Sequence, residues 1–182
     1  MARATLQLID RDDLLAALDR AASRRVTVIS APAGSGKTSL LRSWAGRPGQ
    51  RHRLAVLQVQ RDQQDAQQFW LALLGAVRHA AGTSGQAELP AATPEFNERA
   101  MVDRVLADLT RARGDITLVI DDVHELRSPD ALAQLTRLLT DLPANAHAIL
   151  ATRHDLHRGG QRSAGACAVE SRHHQGVVAG AP

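Results

Sequence analysis

One cysteine, one lysine and no tyrosine occur in this 182-residue chain. Cys167 has no second cysteine to join, so an intrachain disulfide is excluded, and such usage fits a reducing, cytoplasmic setting. No apolar run approaches the roughly 18 residues of a membrane span. Residues 1–20 carry Asp10, Arg11, Asp12 and Asp13 where a secretion signal needs an apolar stretch, so neither membrane nor export is expected. Aromatic residues are limited to Trp44, Phe69, Trp70 and Phe96, which leaves the core to aliphatic side chains. The formal charge is only +3, and the arginines are scattered rather than gathered on one stripe, which argues against a nucleic-acid surface. With 44% hydrophobic residues, the chain is long enough to bury the core of one domain.

The single lysine marks the first chemistry. Lys37 closes Ala31-Pro32-Ala33-Gly34-Ser35-Gly36-Lys37-Thr38, directly after the apolar run Val26-Thr27-Val28-Ile29-Ser30. A strand, a glycine-containing turn and a helix start are what a phosphate-binding loop needs. Gly34 and Gly36 let main-chain N–H groups of residues 33–39 turn inward without a Cβ in the way, and the following helix points its positive end at the same spot. A lysine on a flexible stem reaches between β- and γ-phosphates, where the wider fork of arginine fits poorly. Ala33, Gly34, Ser35, Gly36, Lys37, Thr38 and Ser39 are therefore the candidate nucleotide-binding residues. Thr38 offers a hydroxyl to Mg²⁺, and Ser39 contacts the α-phosphate. Position 31 is alanine where the usual pattern has glycine, which is sterically acceptable if its φ is negative.

A second element complements the loop. Ile116-Thr117-Leu118-Val119-Ile120 reads as a parallel strand covered on both faces, and it ends in Asp121-Asp122. A carboxylate at the carboxyl end of such a strand faces the ligand crevice, so Asp121 is a candidate Mg²⁺ ligand, directly or through water. Asp122 is then placed to orient or deprotonate an attacking water. The competing reading of the acidic pair is a cap on the next turn. Arg153 follows the apolar run Ala148-Ile149-Leu150-Ala151-Thr152; it either touches a γ-phosphate or is an exposed arginine at a strand end.

The remaining pattern alternates helices and strands. Asp10 is a candidate cap for a helix over 11–22 with Leu14, Leu15 and Leu18 on one face. A helix over 37–44, a strand over 54–59 and a helix over 66–80 follow. Thr93-Pro94 and Ser128-Pro129-Asp130 both read as helix starts, the second leading into Leu132, Leu135, Leu138, Leu139 and Leu142. A strand over 147–152 completes the series. The expected fold is α/β, a mainly parallel sheet of P-loop NTPase type with helices on both faces, incomplete and carrying a disordered carboxyl-terminal tail. The expected division is a lead-in helix over 1–24, the NTPase domain over 25–156 and a tail over 157–182. Beyond Leu156 the only larger aliphatic residues are Val169, Val177 and Val178, so the tail is read as disordered or as the product of a frameshift. His154, His157, His173, His174 and Cys167 lie in or beside this loose segment and are not assigned a metal.

The segment from Ser30 to Leu41, Gln67-Gln68-Phe69-Trp70, the box from Leu118 to Leu126 and Ala151-Thr152-Arg153 together resemble the ATPase module of large LuxR-family, MalT-like transcriptional regulators, of the STAND class. The resemblance covers residues 8–156. It implies a switch operated by ATP and ADP with Mg²⁺, ADP favouring a closed monomer and ATP with an inducer favouring self-association. It also implies that Arg153 is a sensor arginine, and it tolerates Ala31. His124 fits the family wording, as packing or hydrogen bonding behind the acidic pair. Winged-helix, repeat and helix-turn-helix regions of the family do not fit in this length, so no DNA binding is expected of this stretch itself. The favoured function is an ATP-binding, slowly hydrolysing switch module with Lys37, Asp122 and Arg153 as its catalytic set. The alternatives are a nucleotide-locked interaction module without turnover and a P-loop small-molecule kinase.

Overall fold

The computed structural model describes residues 11–47, 53–60, 66–83 and 96–153, together with the backbone of 176–179. In chain order these form α1 (Arg11–Ala22), β1 (Val26–Ser30), α2 (Lys37–Ala45), β2 (Arg53–Gln58), α3 (Ala66–Ala81), α4 (Glu98–Arg111), β3 (Ile116–Asp121), a 3₁₀ turn (Val123–Glu125), α5 (Pro129–Thr140), β4 (Ala146–Thr152) and β5 (Gly176–Ala179). The sheet order is β2-β3-β4-β1-β5, and the first four strands are mutually parallel.

Side-chain alternation along the central strands explains why their sequences are apolar without a break. Leu118, Ile120, Ala148 and Leu150 face a core shared with Phe69, Trp70, Leu73, Leu74 and Val77 of α3, Val102, Val105 and Leu109 of α4, and Leu135 and Leu138 of α5. Val119, Ile149 and Ala151 face the opposite core, with Leu18 and Ala22 of α1 and Leu41 and Trp44 of α2. Each face of the sheet thus carries its own helical layer, as a parallel sheet requires. Three of the four aromatics, Trp44, Phe69 and Trp70, are fully buried, and the rest of the core is aliphatic. Phe69 and Trp70 meet edge to face with ring centroids 5.1 Å apart.

The path of the chain creates the crevice. From β1 the chain crosses by α2 on one face to β2 at the far edge, then returns toward β1 by α3, α4 and α5 on the other face. That reversal leaves the carboxyl ends of β1, β3 and β4 beside a gap, the place where open α/β sheets take ligands. Away from that gap, Trp44 ties the carboxyl end of α2 to α1, its Nε1 donating to Asp19 Oδ1 at 2.7 Å.

Several elements differ from expectation. The strand β2 starts at Arg53 and ends at Gln58, one residue earlier than the apolar pattern suggested. The helix α4 is capped by Asn97, whose side chain accepts from Ala100 N–H; Thr93 and Pro94 lie outside the described residues, as does Asp10. Asn97 satisfies an otherwise unpaired helix N–H, which the Thr-Pro pattern could not reveal. Ser128 caps α5 as its sequence indicates, accepting from Ala131 N–H at 3.2 Å. Leu132 is exposed rather than part of the core, because it lies at the flank of the apolar stripe that Ala131, Leu135 and Leu138 turn toward the sheet.

One short stretch of the tail joins the sheet. Gly176–Ala179 form a strand antiparallel to β1, with Ile29 opposite Val177. Main-chain pairing along an open sheet edge does not depend on a segment's hydrophobic content, so low hydropathy did not exclude it. Residues 154–175 and 180–182, which hold His154, His157, His173, His174 and Cys167, lie outside the described residues.

Candidate functional site

The loop between β1 and α2 is built by two left-handed glycines. Gly34 has φ +77° and Gly36 φ +83°, the second acting as the N-cap of α2. No atom lies within 4 Å of a Cβ built at either position, so these glycines are required by backbone conformation and leave the inner face of the loop clear. Ser35 N–H donates to Pro32 O at 3.3 Å and closes the turn. Ala31 is buried and has a negative φ, which removes the concern raised by the missing first glycine.

Lys37 folds back over this loop. Its Nζ donates to Ala31 O and to Pro32 O, the latter at 3.0 Å, and lies 3.5 Å from Ser35 Oγ. Burial pulls the ammonium below the ordinary lysine value of 10.5, with Asp121 opposing, Arg153 adding to the shift and Asp122 partly offsetting it.

Thr38 and Asp121 bring the two motifs together. Thr38 Oγ1 donates to Asp121 Oδ2 at 2.6 Å, and Asp122 N–H donates to Asp121 Oδ1 at 2.9 Å. Asp122 has φ +56°, the only positive φ outside glycine among the described residues. Such a conformation is tolerated best by Asn and Asp, and it turns the second carboxylate out of line with β3. Asp122 Oδ1 lies 3.5 Å from Arg153 Nε, and Oδ2 accepts from Gln58 Nε2 at 3.2 Å.

Ala33, Gly34, Ser35, Gly36, Lys37, Thr38 and Ser39 line one cavity of about 310 Å³ together with Asp122 and Arg153. All the residues chosen from the sequence therefore meet, except that Asp121 stands behind Thr38 and does not itself line the space. The cavity combines a glycine cradle, an ammonium, a guanidinium, a hydroxyl and a carboxylate, a set suited to a polyanion with a hard cation. The adjacent oxygens of Thr38 and Asp121 fit a small divalent metal in donor chemistry. Among the described residues no separate cluster of His, Cys, Asp and Glu could hold a metal.

Sequence reading missed Gln58 and Arg42. Gln58 ends β2 beside Asp121 in the parallel register, and Arg42 Nη2 donates to its Oε1 at 3.3 Å. A glutamine in an alternating strand looks like an ordinary solvent-facing residue. Its strand-end position beside an acidic pair was the available signal, but it depends on knowing that β2 is the neighbour of β3.

Among the described residues no helix is long and apolar enough to cross a membrane. A family profile for the AAA domain matches residues 20–158. The HTH-type transcriptional regulator MalT of Yersinia pestis (strain Pestoides F) is 32% identical over 146 residues, 79% of this chain and 16% of that protein. The MalT of Yersinia enterocolitica is 30% identical over 148 residues with the same coverage. The chain thus spans about 16% of the length of the curated relatives it matches. Among solved structures, Cdc6p from Pyrobaculum aerophilum superposes with a TM-score of 0.54 at 16% identity, covering 85% of this chain and 41% of that one. The Aeropyrum pernix ORC1 protein, solved in complex with DNA, gives 0.54 at 19% identity, covering 81% and 40%. These likenesses speak to the fold, a parallel sheet with P-loop connections. With the profile spanning most of its length, the chain belongs to the AAA domain family.

Proposed function

We propose that this chain is the nucleotide-operated switch module of a MalT-like, LuxR-family transcriptional regulator, binding ATP or ADP with Mg²⁺ in the cytoplasm and hydrolysing ATP slowly. The observation that carries the reading is the 2.6 Å contact between Thr38 and Asp121, which sets a hydroxyl and a carboxylate side by side at the foot of a glycine cradle. Similarity to proteins named as transcriptional regulators supports the setting.

In this reading, main-chain N–H groups of residues 33–39 hold the phosphates, and Ser39 contacts the α-phosphate. Lys37 leaves or shares its loop carbonyls to reach the β- and γ-phosphates. Thr38 and Asp121 hold Mg²⁺, which neutralises charge on the phosphate oxygens when bound. Asp122 orients or deprotonates the attacking water, and Arg153 senses the γ-phosphate. Self-association and contacts with other regulator regions are the expected partners, and DNA is not bound by this stretch itself.

A second reading, a nucleotide-locked module without turnover, is favoured by one observation. Both carboxylate oxygens of Asp122 are engaged, by Gln58 and by Arg153, so the base is restrained. Nucleotide analysis of the purified protein, with ATP turnover measured beside Lys37→Ala, separates the two. Co-purified ADP with no turnover selects the locked module, while turnover lost in the variant selects the hydrolysing switch. Absence of any calorimetric response to magnesium with ATP or ADP in folded protein removes both.

A further inference from the structure

The 3₁₀ turn after β3 carries a polar pair that phosphate binding does not use. The His124 side chain is 12% exposed and that of Glu125 9%, while Val123 and Leu126 on either side belong to the core. His124 Nε2 lies 3.3 Å from Glu125 Oε1, and Nδ1 lies 3.9 Å from Asp122 Oδ1. The imidazole therefore stands between two carboxylates, one of which opens on the cavity. Burying a carboxylate and an imidazole in a turn costs free energy that an apolar pair would avoid. Turn formation alone gives no reason for that choice.

The reason lies in how Asp122 is held. Its Oδ2 accepts from Gln58, whereas its Oδ1 is approached by two cations or donors, Arg153 Nε at 3.5 Å and His124 Nδ1 at 3.9 Å. Arg153 also lines the cavity and is a third exposed, so it is the partner able to turn toward an anion there. His124 is fixed in the turn and backed by Glu125. We propose that His124 is a positioning residue that takes over Asp122 Oδ1 when Arg153 turns to a phosphate, keeping the carboxylate aimed at the cavity. The inference rests on the ATP-hydrolysis reading for its kinetic consequence, but the handover can be provoked without nucleotide by removing the Arg153 guanidinium from Asp122 Oδ1.

The test uses the full chain carrying His124→Phe, His124→Gln or Glu125→Gln, with MgATP turnover, MgADP affinity, melting temperature and the imidazole ¹⁵N resonances recorded together. His124→Phe is expected to lower kcat at least tenfold with KM and MgADP affinity within about twofold, and His124→Gln to restore part of the loss. Glu125→Gln lowers kcat when His124 is present and adds nothing to His124→Phe. A merely structural role would instead lower melting temperature and affinity along with kcat, and that outcome, or an unchanged kcat, overturns the proposal. If the wild-type chain shows no turnover, Arg153→Ala supplies the decisive readout. The His124 ring resonances shift as Asp122 Oδ1 passes to the imidazole, and unmoved resonances overturn the handover whether or not nucleotide binds. Failure of MgADP to bind while those resonances do shift would remove the nucleotide reading alone.

Discussion

Thr38 and Asp121 are 83 positions apart in the chain and 2.6 Å apart in space. Thr38 belongs to the first turn of α2 and Asp121 is the last residue of β3, so this one hydrogen bond registers the phosphate-loop helix against the sheet. The same carboxylate accepts the N–H of Asp122 and steadies that residue in its left-handed conformation. Loop, candidate metal-binding pair and candidate base are thereby mechanically one unit.

Replacing Lys37 with alanine should weaken MgADP binding about 10- to 150-fold, since a charge-assisted bond to phosphate contributes roughly 1.5–3 kcal/mol. Isothermal calorimetry on the variant and the parent reads this directly. Affinity retained within threefold would mean that the ammonium does not meet the ligand.

Asp122→Asn should separate binding from chemistry. The amide keeps the shape of the side chain but is a poor base, so nucleotide affinity is expected within about threefold of the parent while turnover falls about 10²–10⁴-fold. Equal losses in both quantities would assign Asp122 to binding instead.

The depressed lysine predicts a pH dependence. In the free chain, burial disfavours the charged amine and places its pKa below 10.5, whereas a bound polyphosphate favours the charged form and raises it. Affinity should therefore be constant below the lowered value, decline as pH rises through it, and be accompanied there by proton uptake. Calorimetry of MgADP binding in alkaline buffers of differing ionisation enthalpy measures that uptake, and zero uptake across the alkaline range contradicts the assignment.

Gly36→Ala tests the cradle. Nothing would touch the new methyl, but φ +83° costs an L-residue about 1–2 kcal/mol, which corresponds to a fall of roughly 2–8 °C in melting temperature. Nucleotide affinity should drop by more than stability does, because a relaxed N-cap moves the inward N–H groups. A melting temperature equal to that of the parent would show that the loop adopts this conformation at no cost.

Trp44→Phe probes the seat of α2. It keeps most of the buried ring but removes the 2.7 Å bond to Asp19, leaving that carboxylate to Arg47 at 3.0 Å on the surface. A loss of about 1 kcal/mol, read by chemical denaturation, is expected.

Local chemistry was legible before any coordinates. Lys37, the two glycines before it and the acidic pair after an apolar run pointed to one shared site because each stands at a set spacing along a strand-turn-helix or at a strand end, and the structure brings them together. Both-sided burial of β3 and β4 was likewise written in their unbroken apolar runs, and Ser128-Pro129 marked the start of α5 because capping is a contact between neighbours in sequence.

What tertiary structure alone decided are relations between distant segments. That β2 lies beside β3 brings Gln58 to Asp122, and that β4 lies on the other side brings Arg153 to the same carboxylate. Periodicity specifies which face of an element is apolar, but strand order depends on how the crossovers pack. The pairing of 176–179 with β1 was equally hidden, since main-chain hydrogen bonds along an edge leave no signature in side-chain composition.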